Sequence, residues 1–158
     1  MKKIKGFTLI ELITVIAIIG ILASVITIST TSARKQARDV QRKADLNSVS
    51  GALEMYYAQK KSYPIQNTLG GYDLYDSALK STLTPTYISS LPEDPLNKDK
   101  NRYWYYSNKV GEKATQYYLD AQLESKEETE FTCDLNGPFQ TGTCKFNDGS
   151  IHYRVTSK

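Results

Sequence analysis

The sequence is poor in the residues from which catalytic and metal sites are usually built. It has one histidine, His152, and two cysteines, Cys133 and Cys144, and it lacks a CxxC pattern. Four zinc ligands cannot be assembled from this set. No nucleophile is paired with a base, and His152 is expected to be a structural or surface residue without an identifiable partner. We therefore predict no enzymatic activity, no cofactor and no metal site.

Basic charge is scarce once the first six residues are set aside. The formal net charge of the chain is +3, and Lys2, Lys3 and Lys5 account for all of it. Over the remaining sequence the basic residues only balance the 17 acidic ones. A protein that binds nucleic acid usually carries a clear basic excess. The charge balance therefore disfavours nucleic acid as a partner.

The segment from residue 7 to residue 33 lacks ionisable side chains except for Glu11. Residues 7–28 include 14 large apolar side chains. At about 1.5 Å per residue they would form a helix about 33 Å long, which matches the hydrocarbon core of a bilayer. The preceding lysines place the N-terminus in the cytoplasm and the rest of the chain outside. We predict a transmembrane helix over residues 7–28.

Glu11 is the unusual residue of this apolar segment. The large apolar residues favour insertion by roughly 4–8 kcal/mol, whereas a charge at the membrane centre opposes it by about 3 kcal/mol. Insertion is therefore still favourable. An ionisable group inside a membrane commonly has a functional role and a partner. The alternative is that the Glu11 carboxylate simply reaches the headgroup region from near the end of the helix.

An ordinary secretory signal is the competing interpretation of the same segment. The residues Ile21-Leu22-Ala23, followed by Ser24, could form the small-residue cleavage site of a signal peptidase. Cleavage there would remove the apolar segment and release a soluble domain.

Helical periodicity continues beyond the apolar segment, and no proline precedes Pro64. Apolar residues recur at steps of three and four along two successive stripes. The first stripe is Ala33, Ala37, Val40 and Ala44, and the second is Leu46, Val49, Leu53 and Tyr56. Charged residues between positions 34 and 45 occupy the other faces. We predict one helix over residues 7–59 whose second half packs its apolar face on a globular head.

Residues 60–158 are predicted to form that head. Pro64 ends the long helix, because the residue before a proline disfavours helical geometry. A short helix is expected near residues 75–83, and strands at residues 103–106 and 116–123. Two more strands should flank the hairpin signal Asn147-Asp148-Gly149. The predicted fold class is α+β, with the long helix packed on an antiparallel sheet of three or four strands.

The two cysteines lie close together near the end of the head. A disulfide between Cys133 and Cys144 would close a short loop, and the alternative is a pair of free, buried thiols. A disulfide would indicate an oxidising compartment outside the cytoplasm. That location agrees with the predicted topology.

The stretch GFTLIELITVIAIIGILA, residues 6–23, resembles the class III signal sequence of the type IV filament family. This family comprises type IV pilins and the pseudopilins of type II secretion and of competence. The resemblance implies a leader peptide, residues 1–6, that a prepilin peptidase removes between Gly6 and Phe7, and N-methylation of Phe7. It also implies that Glu11 meets the Phe7 amine of a neighbouring subunit. An unpaired buried carboxylate is costly, so Glu11 would set the register of assembly.

The head carries a second resemblance. Tyr63-Pro64, then LPEDP at residues 91–95, then an aromatic strand are similar in order to major pseudopilins and short pilins. Such pseudopilins commonly bind calcium in a late loop, for which Asp134, Asn147 and Asp148 could be considered. The cysteine loop occupies that region here and resembles the pilin side of the family, so no calcium site is predicted.

The resemblances together imply a structural prepilin without enzymatic activity. It would insert in the cytoplasmic membrane with the head outside and then enter an extracellular or periplasmic filament. Expected partners are like subunits, the prepilin peptidase, the assembly platform in the membrane and minor pilins. A type IV pilus subunit is favoured. The alternatives are a major pseudopilin of a type II secretion system and the secreted soluble domain.

Overall fold

A computed structural model describes residues 6–65, 72–73, 77–97, 102–125, 131–133, 140–146 and 149–157. Within these ranges the side chains at positions 25–29, 72–73, 77 and 131 are not described. The residues Asp134, Asn147 and Asp148, which were considered as calcium ligands, lie outside the described ranges.

The chain begins with a helix, α1, Leu9–Lys60, which agrees closely with the predicted helix. It is 52 residues long, or about 78 Å at 1.5 Å per residue. The helix ends at Lys60. The next residue, the C-cap Lys61, adopts a left-handed conformation (φ 55°) and donates its N–H to the carbonyl of Tyr57. Pro64 follows within three residues, and helices commonly stop shortly before a proline.

The head consists of one short helix and one sheet. Helix α2 is Ser77–Leu83, and the strands are β1 Tyr72–Asp73, β2 Tyr103–Ser107, β3 Tyr117–Gln122, β4 Phe131–Thr132, β5 Gly142–Lys145 and β6 Ile151–Thr156. The sheet has the order β1-β2-β3-β6-β5-β4. All neighbouring strands are antiparallel except β4 and β5, which are parallel.

The centre of this sheet confirms the predicted antiparallel arrangement. The strands β2, β3, β6 and β5 include the predicted aromatic strand, the alternating strand and the hairpin after residue 145. The two-residue strands β1 and β4 at the edges were not predicted. A strand of two residues is too short to show an alternating pattern in the sequence. It is recognised only by its pairing with a neighbouring strand.

The second apolar stripe of α1 packs against the sheet as predicted. Leu46, Val49 and Leu53 are fully buried, and they join Tyr105 and Leu119 of the sheet in one core cluster. Residues at every second position of β3 face α1, as the alternation in the sequence requires. The core therefore lies between the second half of α1 and one face of the sheet.

The first apolar stripe does not face the head. Ala33, Ala37 and Ala44 are exposed, and Val40 is 67 % exposed. The prediction that the second half of α1 packs its apolar face on the head is therefore wrong for the first stripe, residues 33–44, and correct for the second. Buried positions of α1 continue from Leu46 backwards to Arg42 and Asp39 instead.

The predicted transmembrane segment, residues 7–28, lies in the first part of α1 and just before it. The large apolar side chains of residues 7–22 are exposed in the single chain, for example Phe7 (85 %) and Leu22 (57 %). Within the part of the chain that the structure describes, no helix is long and apolar enough to cross a membrane.

Candidate assembly site

The first turn of α1 brings Glu11 against Thr8. Thr8 is the N-cap residue, and its hydroxyl oxygen accepts the backbone N–H of Glu11 (3.3 Å). In return, Oε2 of Glu11 accepts the N–H (2.8 Å) and the hydroxyl (2.6 Å) of Thr8. This reciprocal arrangement is a capping box, which stabilises the start of a helix. The contact fixes the Glu11 carboxylate beside the residue that follows Phe7.

Glu11 keeps the capacity to bind a further group. Both hydrogen bonds from Thr8 reach the same carboxylate oxygen, Oε2, whereas an ionised carboxylate offers about four acceptor positions. The residue is also exposed in the single chain. A cation from another molecule can therefore approach Glu11 without first breaking the cap.

Around Glu11 the helix is apolar on all sides. Eleven large apolar residues are exposed there: Phe7, Leu9, Ile10, Leu12, Ile13, Val15, Ile16, Ile18, Ile19, Ile21 and Leu22. A helix that is apolar all round is normally covered by a membrane or by other helices. This surface, residues 7–22, is named the apolar stem below.

A cluster of charged side chains lies where α1 first contacts the head. It consists of Arg38, Asp39, Arg42, Asp94 and Glu124 and is named the ion cluster below. Nη1 of Arg42 donates to Asp39 (2.7 Å) and to Glu124 (2.8 Å). Nε and Nη2 of Arg38 donate to the two oxygens of Glu124 (2.7 and 2.5 Å). The cluster therefore joins α1 to two separate parts of the head.

The ion cluster also fixes the backbone of those two parts. The Asp39 carboxylate accepts the backbone N–H groups of Glu124 (3.0 Å) and Ser125 (2.8 Å), and also the Ser125 hydroxyl. Asp94 accepts the N–H groups of Leu96 (2.8 Å) and Asn97 (3.3 Å). Asp94 therefore holds a turn of the head, and its contact with Arg42 was not predicted.

The hydrogen bonds within the cluster favour its charged forms. Those from Arg38 and then Arg42 lower the pKa of Glu124 to about 2. Burial alone would raise the pKa of Asp39, but hydrogen bonds from Ser125, the Glu124 backbone and Arg42 outweigh it, and the pKa is lowered. Asp39 and Glu124 are therefore ionised at neutral pH beside the two guanidinium groups.

The sequence contained one signal for this cluster. Asp39 and Arg42 continue the stripe of Leu46, Val49 and Leu53 backwards at steps of three and four. The charged residues between positions 34 and 45 were expected to occupy the other faces of the helix, and charged residues are rarely fully buried unless they are paired. Asp94 and Glu124 supply those partners, and no local pattern reveals contacts across 52 and 82 residues.

Tyrosine hydroxyls contribute polar contacts between α1 and the head. The hydroxyls of Tyr63 and Tyr117 both donate to Glu54 of α1 (3.1 and 3.2 Å), and that of Tyr103 donates to Asp45 (2.7 Å). Eight of the 12 tyrosines lie in the core or against it. These rings anchor the head on the helix.

The predicted disulfide is present in the structure. Cys133, which follows β4, is bonded to Cys144 of β5, with 5.2 Å between their Cα atoms.

His152 has partners that were not foreseen: Nδ1 lies 3.0 Å from Asp120 Oδ1, and Nε2 lies 3.1 Å from Ser150 Oγ. In the described ranges no group of three or more His, Cys, Asp or Glu residues could hold a metal ion.

Comparison with known families gives two matches that together cover most of the chain. Residues 1–27 match the prokaryotic N-terminal methylation motif. Residues 29–127 match the type II secretion system (T2SS), protein G, and this match alone exceeds half of the chain. The chain belongs to the T2SS protein G family. Neither the curated proteins nor the solved structures that were compared with it gave a match.

Membership of this family defines the class of the protein. It is a prepilin-like subunit of a pilus or pseudopilus filament, and its family is one of structural subunits, not of enzymes. The family also implies processing by a prepilin peptidase, a membrane-anchored precursor and self-assembly into a filament. The apolar stem and Glu11 both lie within the residues that match the methylation motif.

Proposed function

We propose that the chain is the prepilin of a type IV pilus-like filament. The leader of residues 1–6 is removed between Gly6 and Phe7, and Phe7 is then N-methylated. Residues 7–28 anchor the precursor as a single pass in the cytoplasmic membrane, with the N-terminus inside and the head outside. The mature subunit then assembles through α1. The match of residues 1–27 to the methylation motif supports this sequence of events.

The apolar stem is the observation that carries the proposal. A long exposed apolar helix has to be covered in both of its environments, first by lipid and then by the stems of other subunits. In the described part of the head most large apolar side chains lie in or against the core that includes α1, and Leu96 and Val110 are exposed. A soluble, monomeric end state would leave the stem in water, whereas a filament of parallel stems buries it.

Glu11 is proposed to set the register of these stems. Cleavage after Gly6 creates a cationic amine at Phe7, one residue before the N-cap Thr8. Inside a filament the local dielectric is low, so an amine and a carboxylate from neighbouring subunits attract strongly when they meet. A subunit out of register leaves both charges buried and unpaired, which is costly. Glu11 therefore distinguishes correct from shifted assembly.

A major pseudopilin of a type II secretion system is the second candidate. The match of residues 29–127 to T2SS protein G supports it, as does the order of Tyr63-Pro64 and LPEDP. The disulfide loop between Cys133 and Cys144 supports the pilus subunit. Both candidates use the same processing, stem and register residue, and they share an assembly platform in the membrane and minor pilins as expected partners.

The experiment compares the native cells with a deletion strain and with the deletion strain that carries the gene on a plasmid. Electron microscopy of the cell surface and an assay of proteins exported to the medium are made on all three. A pilus subunit predicts surface filaments that disappear in the deletion strain and return on complementation. Loss of exported proteins without loss of surface filaments would instead identify a pseudopilin. No change in either would contradict both.

A further inference from the structure

The ion cluster lies at the point where α1 leaves the head. Towards the N-terminus from Arg38, every residue of α1 whose side chain is described is exposed. Asp39 and Arg42 are the first buried residues of the helix, at 1 % and 0 % exposure. The direction in which the apolar stem projects from the head is therefore determined at this joint.

Two segments of the head end at the same joint. Residues 94–97 form a turn around the Asp94 carboxylate, and residues 124–125 follow β3 with their N–H groups on Asp39. Arg42 binds both carboxylates and Glu124 as well, so one guanidinium holds the two segments against α1. Removing it would detach residues 94–97 from the Arg42 contact and from residues 124–125, which Asp39 and Arg38 would still hold on the helix.

Buried ion pairs contribute to geometry more than to stability. Replacing a buried pair with apolar residues is often neutral or stabilising, because the charges regain hydration when the protein unfolds. A planar guanidinium, however, donates hydrogen bonds only in fixed directions within its plane. Apolar packing imposes no such directions on the partner groups. The arrangement around Arg42 is therefore suited to fixing the rotation and height of the head along α1.

We propose that Arg42 is a positioning residue for filament assembly. It acts by holding the head in one orientation on α1, and therefore in one orientation relative to the apolar stem. The inference rests on the proposed function, since it concerns how the subunit enters a filament. In a helical filament each subunit must satisfy contacts of its stem and of its head at the same time. A head that is rotated on its stem can satisfy only one of them, and the same error repeats at every subunit.

The test is a triple variant that removes the buried charges and keeps the turns. Arg42→Met fills the space without charge, while Asp39→Asn and Asp94→Asn keep a side-chain oxygen for the backbone N–H groups of both segments. Glu124 keeps Arg38 as its partner. The unfolding temperature of the full-length precursor in detergent is expected to stay within about 5 °C of the wild type. The filament yield per mature subunit is expected to fall at least tenfold.

Two further variants separate position from stability. Val49→Ala leaves a cavity in the core between α1 and the sheet and removes no charge. Its filament yield should fall only in proportion to the amount of folded subunit. Arg42→Lys keeps the charge but offers no planar fork, and should give a yield between the wild type and the triple variant. If the triple variant does not fold, the comparison of Arg42→Lys with Val49→Ala at equal unfolding temperature decides the question.

The outcomes of the test are distinct. The positioning role would be overturned if the triple variant or the Arg42→Lys variant gave a filament yield in proportion to its amount of folded subunit. Absence of filaments from the wild-type chain would instead contradict the proposed function. Amide hydrogen exchange gives a readout that does not need filaments: exchange at Leu96, Asn97, Glu124 and Ser125 should rise in the triple variant, while exchange in β3 stays unchanged.

Discussion

Arg42 and Asp94 form a two-pronged, fully buried ion pair across 52 residues of sequence. Nε of Arg42 lies 2.6 Å from Oδ2 of Asp94, and Nη2 lies 3.2 Å from Oδ1. This contact joins the long helix to the LPEDP segment, residues 91–95. The segment is therefore one of the two parts of the head that Arg42 binds to α1.

Acid should weaken the head through Glu124. Because the folded-state pKa of Glu124 is lowered to about 2 from an ordinary value of 4.5, ionised Glu124 stabilises the fold above about pH 4.5. That contribution is lost as the pH falls from 4.5 towards 2. Thermal unfolding of the precursor should show wild type more stable than Glu124→Gln at pH 7, with the difference shrinking over this interval.

Glu112→Gln is the matched control for this measurement. Glu112 is an exposed carboxylate in the turn between β2 and β3. Its replacement should leave the unfolding temperature close to that of the wild type at each pH. A constant difference between wild type and Glu124→Gln from pH 7 to pH 2 would show that the ion pairs with Arg38 and Arg42 do not stabilise the fold.

The disulfide should stabilise the head measurably. The bond between Cys133 and Cys144 closes a loop with a sequence separation of 11, for which the reduced entropy of the unfolded chain amounts to about 3 kcal/mol. Replacing both cysteines with serine should lower the free energy of unfolding by about that amount in denaturant titrations. The wild-type protein in a reductant should behave like the double variant. Equal stability of all three would refute the stabilising role.

Replacement of Glu11 tests the register proposal against its role as a helix cap. Glu11→Gln removes the charge but keeps an oxygen that can accept the Thr8 N–H, so the cap should survive. Membrane insertion and processing should persist, while filament yield should fall sharply, because the Phe7 amine of the neighbouring subunit lacks a counter-charge.

Thr8→Ala is the complementary variant. It removes the capping hydroxyl, at a cost of about 1 kcal/mol in helix stability, but leaves the Glu11 charge in place. The register proposal expects Thr8→Ala to assemble better than Glu11→Gln. The opposite order, with normal filaments from Glu11→Gln and few from Thr8→Ala, would show that Glu11 acts only in capping the helix.

Local sequence signals predicted the elements of this fold that depend on local chemistry. Periodicity gave α1, Pro64 gave its end, and the glycine of the hairpin signal, Gly149, adopts a positive φ of 87° between β5 and β6. Alternation in β3 predicted which residues face the helix. Each of these features is determined by residues within a few positions of one another.

Contacts between distant segments were not predictable in the same way. Asp39 and Arg42 look like ordinary solvated charges until Asp94 and Glu124 are brought to them by the fold. The edge strands β1 and β4 are likewise defined by pairing alone. Of the candidate site, the sequence indicated Gly6, Phe7 and Glu11 through the resemblance to the filament family. The capping contact with Thr8 was not predicted, although a threonine three residues before a glutamate is the sequence signature of a capping box.

Processing should depend on the small size of Gly6. A side chain added at Gly6 would meet no other atom of the chain within 4 Å, so Gly6→Leu should not disturb the fold. The peptidase, by contrast, has to approach the backbone closely at the bond that it cuts. Immunoblots should show uncleaved Gly6→Leu precursor in the membrane fraction.

Gly51→Ala serves as the control for this experiment. Gly51 lies on an exposed position of α1, and a side chain there also meets nothing within 4 Å. The Gly51→Ala chain should be processed like the wild type. Normal cleavage of the Gly6→Leu chain would rule out the proposed cleavage site.

The intact mass and N-terminal sequence of the chain recovered from sheared surface filaments test the filament proposal most directly. We expect the protein to be present in the filaments, to begin at Phe7, and to carry a methyl group on the Phe7 amine. A chain that begins at Ser24 and is found free in the medium, with no filament containing it, would contradict the proposal and identify a secreted domain.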